Sequence, residues 1–468
     1  MMGKITTSAK RTIIEDFAKE IRERRMQTAK PSVSVINFRD DRLGGTERPI
    51  YQVPIDILRF RKDNGRIASD VLDYETNKGI LRETDDVAQE ILKGFLKEKD
   101  PEKTADLRKS MMHAGQQEPA IITCDGFLIN GNRRKMVMED LHREHLDNQD
   151  YAYMKVVILP GEGEEGGPPT LVEIEKLENR YQLQSDGKSE YYGFDRALSI
   201  KRKVSIGLSL EEQLRDDPRY AGMTTADIEK EVRECERKFL EPLACVDKYL
   251  KQFRREGQYR TISSGMSDPE GRWQAFIDYS NTYNRHFRNP KRLIELGIEE
   301  DEIGEIEEAA FDIIRLRHLP DLPKVHVIMR DLPNFCRTKE GKKEIKKIAK
   351  EVEPVLPRDQ CFDPQGNPLS ADAVDMKWAA NNREAIIYHT KKASQCHETL
   401  KEKETPIELL DAAYKKLTHE NMDVTAIAVA DYKKAMRLAA QIQREAKNIE
   451  TQIYHQDKDY KRLVQEKG

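Results

Sequence analysis

The sequence predicts an α+β domain in the N-terminal third, followed by a predominantly α-helical region that ends in a long helix or coiled coil. Residues 120–141 combine β-branched residues, turn residues and then a helical pattern, which indicates strand, turn, strand and helix. After about residue 190, apolar residues recur every three or four positions, the spacing of a buried helix face. The last stripe of this kind comprises Tyr432, Met436, Ala439, Ile442, Ala446, Ile449 and Ile453.

Composition limits the classes of protein to be considered. The 468 residues suffice for two to four domains, 35% are charged, and the formal net charge is −4. A uniformly basic nucleic-acid binder is excluded, so any DNA-binding surface must be a local patch. No apolar run approaches the ~20 residues of a membrane span, which predicts a cytoplasmic protein without a membrane partner. The six cysteines form no CxxC pairs, and they predict neither disulfides nor a zinc site.

Changes in pattern along the chain predict five regions. They are an N-terminal arm (1–45, with a linker from residue 31), an α+β domain (46–200), a helical segment with a helix-turn-helix-like alternative (201–260), a helical domain (261–400) and C-terminal helices (401–468).

Within the α+β region, apolar alternation and turn residues place the individual elements. Strands are expected at 50–58, at 121–122 and 127–129 around an Asp125-Gly126 turn, and at 153–159. Helices are expected at 84–98 and 102–114, and after Gly131. Thr170 and Glu173 have the spacing of a capping box, which predicts that a helix begins there.

The helix after Gly131 opens with cations. Asn132, Arg133 and Arg134 stand where a helix already carries partial positive charge, and each cation there costs roughly 0.3–1 kcal/mol. Backbone N–H groups and cations together suit a bound anion such as phosphate. Arg134 also shares the inward face of the helix with apolar residues. The alternative is a basic surface helix whose arginines pair with acidic neighbours.

Four segments, in order, carry a resemblance to a known family. DGFLINGNRR, which ends at Arg134, resembles the "aGeRRwrA" segment of the ParB N-terminal domain, a member of the ParB/sulfiredoxin-like superfamily. Residues 53–58 resemble the opening strand of that domain, residues 107–122 its helix-turn-strand, and Glu178-Asn179-Arg180 the start of its "ENxxR" motif. The resemblance covers about residues 46–200.

The resemblance implies a nucleotide site with magnesium. CTP or ATP would lie between the Gly-x-x-Arg and Glu-Asn segments, which implies nucleotide contacts from Gly131, Asn132, Arg133, Arg134, Asn179 and Arg180. Glu178 would be the catalytic carboxylate and the magnesium ligand, unless it is an ordinary solvated glutamate. Gln182 stands where the family has arginine, so slow hydrolysis is expected.

Three functions follow from this pattern. The first is a nucleotide-binding, DNA-associated protein, acting as a nucleotide-switched clamp, with DNA and a second copy of the chain as partners. The second is a nuclease, kinase or NTPase effector on the same fold, in plasmid partition and maintenance or in phage defence. The third is a non-catalytic scaffold with a vestigial pocket. Sulfiredoxin activity is disfavoured because Asn132 stands where that enzyme needs cysteine.

Cations alternate with aromatic residues between residues 253 and 288. This pattern suits contacts with a nucleic-acid backbone and stacked bases, but it suits core aromatics beside solvated arginines equally well. We favour the core interpretation. The basic run at 339–350 predicts a solvated helix face.

Overall fold

The structure is a computed structural model that describes most of the chain. The described residues are 15–27, 32–39, 46–99, 101–183, 193–220, 222–263, 271–356, 360–363, 365–367 and 369–467. The chain divides into two compact units, Met1–His397 and Glu398–Gly468. The first unit contains a small mixed sheet and most of the helices, which confirms an α+β region followed by helices.

The described sheet has four strands. They are β1 (Val33–Ile36), β2 (Thr46–Pro54), β3 (Ala120–Ile122) and β4 (Tyr153–Ile158), in the order β1-β2-β4-β3. β2 pairs antiparallel with β1 and β4, whereas β3 pairs parallel with β4. β1 lies in the segment expected to be a linker, and that expectation is wrong. The pairing of this four-residue strand with β2 is tertiary, and local pattern alone does not signal it.

The turn after β3 forms as predicted, but the second strand of the hairpin does not. Gly126 has φ +85°, and its N–H donates to the carbonyl of Thr123 at 3.0 Å. Residues 127–129 form only isolated bridges, one between Ile122 and Leu128 and one between Arg59 and Phe127. The segment therefore returns beside β3 and leads directly into the next helix.

Among the residues that the structure describes, six α-helices accompany the sheet. They are α1 (Glu15–Gln27), α2 (Ala68–Lys78), α3 (Asp86–Glu98), α4 (Pro101–Ala114), α5 (Asn132–Glu144) and α6 (Leu171–Leu183). Strand alternation supplies both faces of the sheet with apolar side chains. Ile122 and Val156 belong to the core that includes α3 and α5, whereas Ile121 and Val157 belong to the core that includes α6. The capping box before α6 is confirmed, because the N–H of Glu173 donates to Thr170 Oγ1 at 3.2 Å.

The rest of the first unit is helical. Its helices are α7 (Gly193–Ser205), α8 (Leu210–Arg215), α9 (Thr225–Cys235), α10 (Glu241–Gln252), α11 (Arg260–Ser263), α12 (Gly271–Thr282), α13 (Pro290–Leu296), α14 (Glu302–Leu316), α15 (Val325–Cys336) and α16 (Lys339–Glu351). Their common core buries Phe253, Trp273 and Phe287. The core interpretation of these aromatic residues is confirmed, so their rings are not available to stack on bases.

Two long helices complete the chain. They are α17 (Ala371–Leu417), which contains the boundary between the units, and α18 (Tyr432–Lys467), the long C-terminal helix that the sequence predicts. On α18, the apolar stripe is largely exposed, with Met436 66% and Ile453 51% exposed. Among the described residues, no helix combines the length and apolar character needed to cross a membrane.

Candidate functional site

The start of α5 is held close to β3 by two neighbouring residues. Asn130 Oδ1 accepts a hydrogen bond from the N–H of Ile121 at 2.7 Å. Gly131 has φ +84°, and a Cβ at this position would lie 2.7 Å from the Cβ of Ala120. A side chain is thus excluded both by the backbone conformation and by the close approach. The N-terminus of α5 is therefore fixed against the sheet.

Arg134 lies on the first turn of α5 and turns back towards the segment before β3. Its Nη1 donates to the backbone carbonyls of Glu118 and Pro119, the second at 3.3 Å. Burial lowers the pKa of the Arg134 guanidinium below its usual value. A guanidinium has five N–H donors, so these two bonds orient the group and leave donors for a ligand. The prediction that Arg134 lies on the inward side of α5 is confirmed, next to buried Val137 and Met138.

A cleft of about 700 Å³ opens at the N-terminus of α5. Gly131, Asn132, Arg133 and Arg134 all line it, so the structure brings the four residues of this predicted segment together. The cationic side chains of the lining outnumber the acidic ones. The cations are Arg66, Lys99, Lys103, Arg133 and Arg134, and the acids are Asp106 and Glu118. Leu96, Leu107 and Met111 add an apolar portion.

Asn132 is the polar group of the cleft that lacks a partner. Its side chain is 8% exposed, and its Oδ1 has no hydrogen bond to any described residue. A buried amide without a partner costs roughly 1–3 kcal/mol, and such groups are rare in native proteins. Because an amide oxygen accepts hydrogen bonds, a ligand hydroxyl or amino group in the cleft would satisfy it.

Part of the cleft wall comes from segments that the sequence motif does not include. Lys99 follows α3, and its Nζ pairs with Asp70 at 3.0 Å and Asp195 at 3.1 Å. Lys103 lies on α4 and lines the cleft. Neither lysine is conspicuous in the sequence, because both belong to segments with an amphipathic helix pattern, where lysine is common. The turn at residues 63–66 also contributes, because Asn64 and Arg66 line the cleft.

Glu178 lies beside the cleft and not in its lining. Its Oε2 is 3.2 Å from Arg61 Nη2, and its Oε1 accepts from the N–H of Gly65 at 3.4 Å. Burial, reinforced by the neighbouring carboxylate of Glu175, raises the pKa of Glu178. The solvated-glutamate alternative is therefore wrong, because the side chain is 3% exposed.

The surroundings of the Glu178 carboxylate do not suit a magnesium ligand. An arginine guanidinium occupies the position from which a divalent cation would approach its carboxylate, and like charges repel. Within the described ranges, no cluster of three His, Cys, Asp or Glu side chains has a metal-binding arrangement. Magnesium at this position stays a prediction of the resemblance.

Asn179 and Arg180 are also engaged in contacts within the fold. Asn179 Nδ2 donates to the carbonyl of Gln213 at 3.1 Å, and its Oδ1 accepts from Lys203 Nζ at 3.0 Å. Arg180 Nη1 donates to the carbonyls of Asn37 and Arg39 at 3.1 and 3.2 Å. Neither residue lines the cleft, and the side chain of Gln182 lies outside the described part of the chain.

A buried charge network connects α6 to α7 and to the turn beside the cleft. Arg61 pairs with Glu175 at 2.6 Å, and Arg202 of α7 also bonds to that carboxylate. Burial alone would raise the pKa of Glu175, but Arg202 and Arg61 outweigh it and lower that pKa. Burial lowers the pKa of Lys203. The Glu-Asn segment therefore lies in the protein interior, where its side chains contact other parts of the fold and do not line the cleft.

Comparisons of this chain with models of protein families, with curated proteins and with solved structures found no match.

Proposed function

We propose that the cleft binds a nucleoside triphosphate, CTP or ATP, with its phosphates at the N-terminus of α5. The observation that carries the proposal is the set of cations Arg66, Arg133 and Arg134 that lines the cleft at the N-terminus of α5. The unpartnered Oδ1 of Asn132 would accept a hydrogen bond from a hydroxyl or amino group of the sugar or base. A helix N-terminus with adjacent cations favours phosphate. The apolar portion formed by Leu96 and Met111 suits a base, and about 700 Å³ lies within the usual range of small-molecule sites.

We propose binding, and no hydrolysis that depends on Glu178. The contacts of Glu178 with Arg61 and Gly65 support a role in holding the 63–66 turn, whose Asn64 and Arg66 line the cleft. The nucleotide-switched clamp, the nuclease, kinase or NTPase activity and the place in plasmid partition or phage defence stay predictions of the resemblance.

The proposal is tested by calorimetric titration of CTP, ATP and GTP, with and without magnesium. Arg134→Ala is expected to weaken binding about ten- to a hundredfold, since each charge-assisted bond to phosphate contributes roughly 1.5–3 kcal/mol. The matched control is Arg143→Ala on the last turn of the same helix, where Arg143 is 62% exposed and pairs with Glu90. Equal affinity in wild type and Arg134→Ala would remove the assignment. The absence of any nucleotide response would favour the scaffold with a vestigial pocket.

A further inference from the structure

Two π-helical turns lie side by side in the helical part of the first unit. One, Glu236–Leu240, joins α9 to α10, and the other, Tyr283–Phe287, follows α12. Asn284 Nδ2 donates to Glu241 Oε2 at 2.7 Å, and Lys248 Nζ lies 5.1 Å from the ring centre of Tyr283. The rings of Phe276 and Tyr249 lie 5.1 Å apart, so the earlier residue of α12 meets the later residue of α10 and the two helices run antiparallel here. The residues that follow Asn284 therefore run towards the π-helical turn that precedes Glu241.

This arrangement gathers exposed cations from both turns. Arg285, Arg288 and Lys291 are exposed, and none of them forms an ion pair with a described residue. On the neighbouring turn, Lys238 is exposed three positions before Glu241, whereas Arg237 pairs with Glu234 at 2.5 Å and is not counted. The sequence contains no aspartate or glutamate from residue 279 to 294. We call the set Lys238, Arg285, Arg288 and Lys291 the basic patch.

The basic run at 339–350 is different, because most of its lysines are paired with acidic residues. On α16, Lys342 and Lys346 bond to Glu302 at 2.6 and 2.9 Å, and Lys350 lies 3.2 Å from Glu305. These lysines hold α16 against α14 and have little charge left for a partner. Arg285, Arg288 and Lys291 differ from these lysines, because they form no ion pair with a described residue in a chain of net charge −4.

We propose that the basic patch binds the sugar–phosphate backbone of a nucleic acid. Exposed arginine and lysine side chains without an acidic partner suit phosphates, whose counterions they displace on binding. Phe287 is buried, so the patch offers no ring for base stacking and the contact is independent of base sequence. An anionic membrane is a poorer fit, because membrane-surface helices insert several apolar side chains and the patch has only Ile294, 81% exposed, on the adjoining helix. This binding is separate from the proposed nucleotide site.

The test uses the full chain and fluorescence anisotropy with labelled duplex DNA, single-stranded DNA and duplex RNA across a salt series. Arg285→Ala/Arg288→Ala/Lys291→Ala is expected to weaken binding more than about tenfold and to lower the slope of log K against log salt by about 2–3, since each phosphate contact contributes roughly 0.9 for a duplex. The three nucleic acids distinguish duplex from single-strand and DNA from RNA recognition. The matched control is Lys401→Ala/Lys403→Ala/Lys416→Ala, which removes the same charge from exposed lysines on α17.

A charge-conserving variant, Arg285→Lys/Arg288→Lys/Lys291→Arg, is expected to retain binding, which separates charge from any effect on folding. Equal losses in the patch variant and the α17 control would overturn the proposal, because binding would then follow net charge alone. The proposal would also be overturned if the patch variant kept the salt slope of the wild type. A patch variant that lost binding to anionic vesicles but kept binding to nucleic acid would likewise overturn it. Because the cleft is not altered, nucleotide titration of the same variants reports separately on the proposed nucleotide site.

Discussion

The carboxylate of Glu178 lies 3.2 Å from the guanidinium of Arg61, and both side chains are 3% exposed. Arg61 shares a second carboxylate, that of Glu175, at 2.6 Å. Breaking a buried pair by removing one charge is costly, because the remaining charge stays in a medium of low polarity. The pair therefore serves to fix the turn at Gly65, whose neighbours Asn64 and Arg66 face the cleft.

Arg61→Met is expected to destabilise the protein by roughly 3 kcal/mol, since it leaves the buried carboxylates of Glu175 and Glu178 without the guanidinium that both of them contact. Urea denaturation at pH 7 measures the change. The matched control is Arg108→Met, because Arg108 is 32% exposed in its pair with Glu144 and an exposed pair contributes at most about 1 kcal/mol. Equal losses in the two variants would show that the buried pairs of Arg61 contribute no more than a surface pair.

The difference between Gly131 and Glu178 shows what the sequence could predict. The features of Gly131 to Arg134 that predict an anion site are local, since they follow from a turn, a helix start and the spacing of Arg134 on one face. The partner of Glu178 is Arg61, more than a hundred residues earlier, and no periodic pattern links them. The fold shows the same limit. The capping box before α6 was predictable from four residues, whereas β1 depends on its pairing with β2.

Gly131→Ala is expected to destabilise the protein by more than Gly115→Ala, although both glycines have positive φ, +84° and +66°. A positive φ costs an L residue about 1–2 kcal/mol in either position. At Gly131 the added Cβ would also lie 2.7 Å from Ala120, whereas at Gly115 it meets nothing within 4 Å. Chemical denaturation measures the loss of stability in each variant, and the difference between the two losses gives the cost of the steric clash at Gly131. Equal losses would show that β3 and α5 can move apart freely.

Asp312 on α14 is expected to make stability depend on pH. Burial raises its pKa from the ordinary 3.8 to about 8, against the opposing effect of Arg315. Between these two values the folded protein holds a proton that the unfolded chain releases, so stability falls as pH rises through this window and then levels off. Asp312→Asn removes the titration, and its advantage in stability over wild type is expected to grow from about pH 4 to about pH 8. Urea denaturation at several pH values measures this. Parallel profiles of the two proteins would contradict the raised pKa.

The apolar stripe of α18 is expected to join two copies of the chain. Tyr432, Met436 and Ile442 are 46%, 66% and 45% exposed, and residues spaced by threes and fours on a long helix form the seam of a coiled coil. Exposed apolar stripes of this length are unfavourable in water, so burial against a second copy stabilises an oligomer. The full chain is therefore expected to be at least a dimer by light scattering.

Ile442→Glu/Ile449→Glu tests this directly, because it places two like charges in the seam. We expect the variant to lose the oligomer while the thermal transition of Met1–His397 stays unchanged. Gln441→Glu/Asn448→Glu is the matched control, since it adds the same charges one position earlier, on the exposed outer side of α18, and is expected to keep the wild-type mass. A monomeric wild type, or equal dissociation in both variants, would show that the stripe does not hold copies of the chain together.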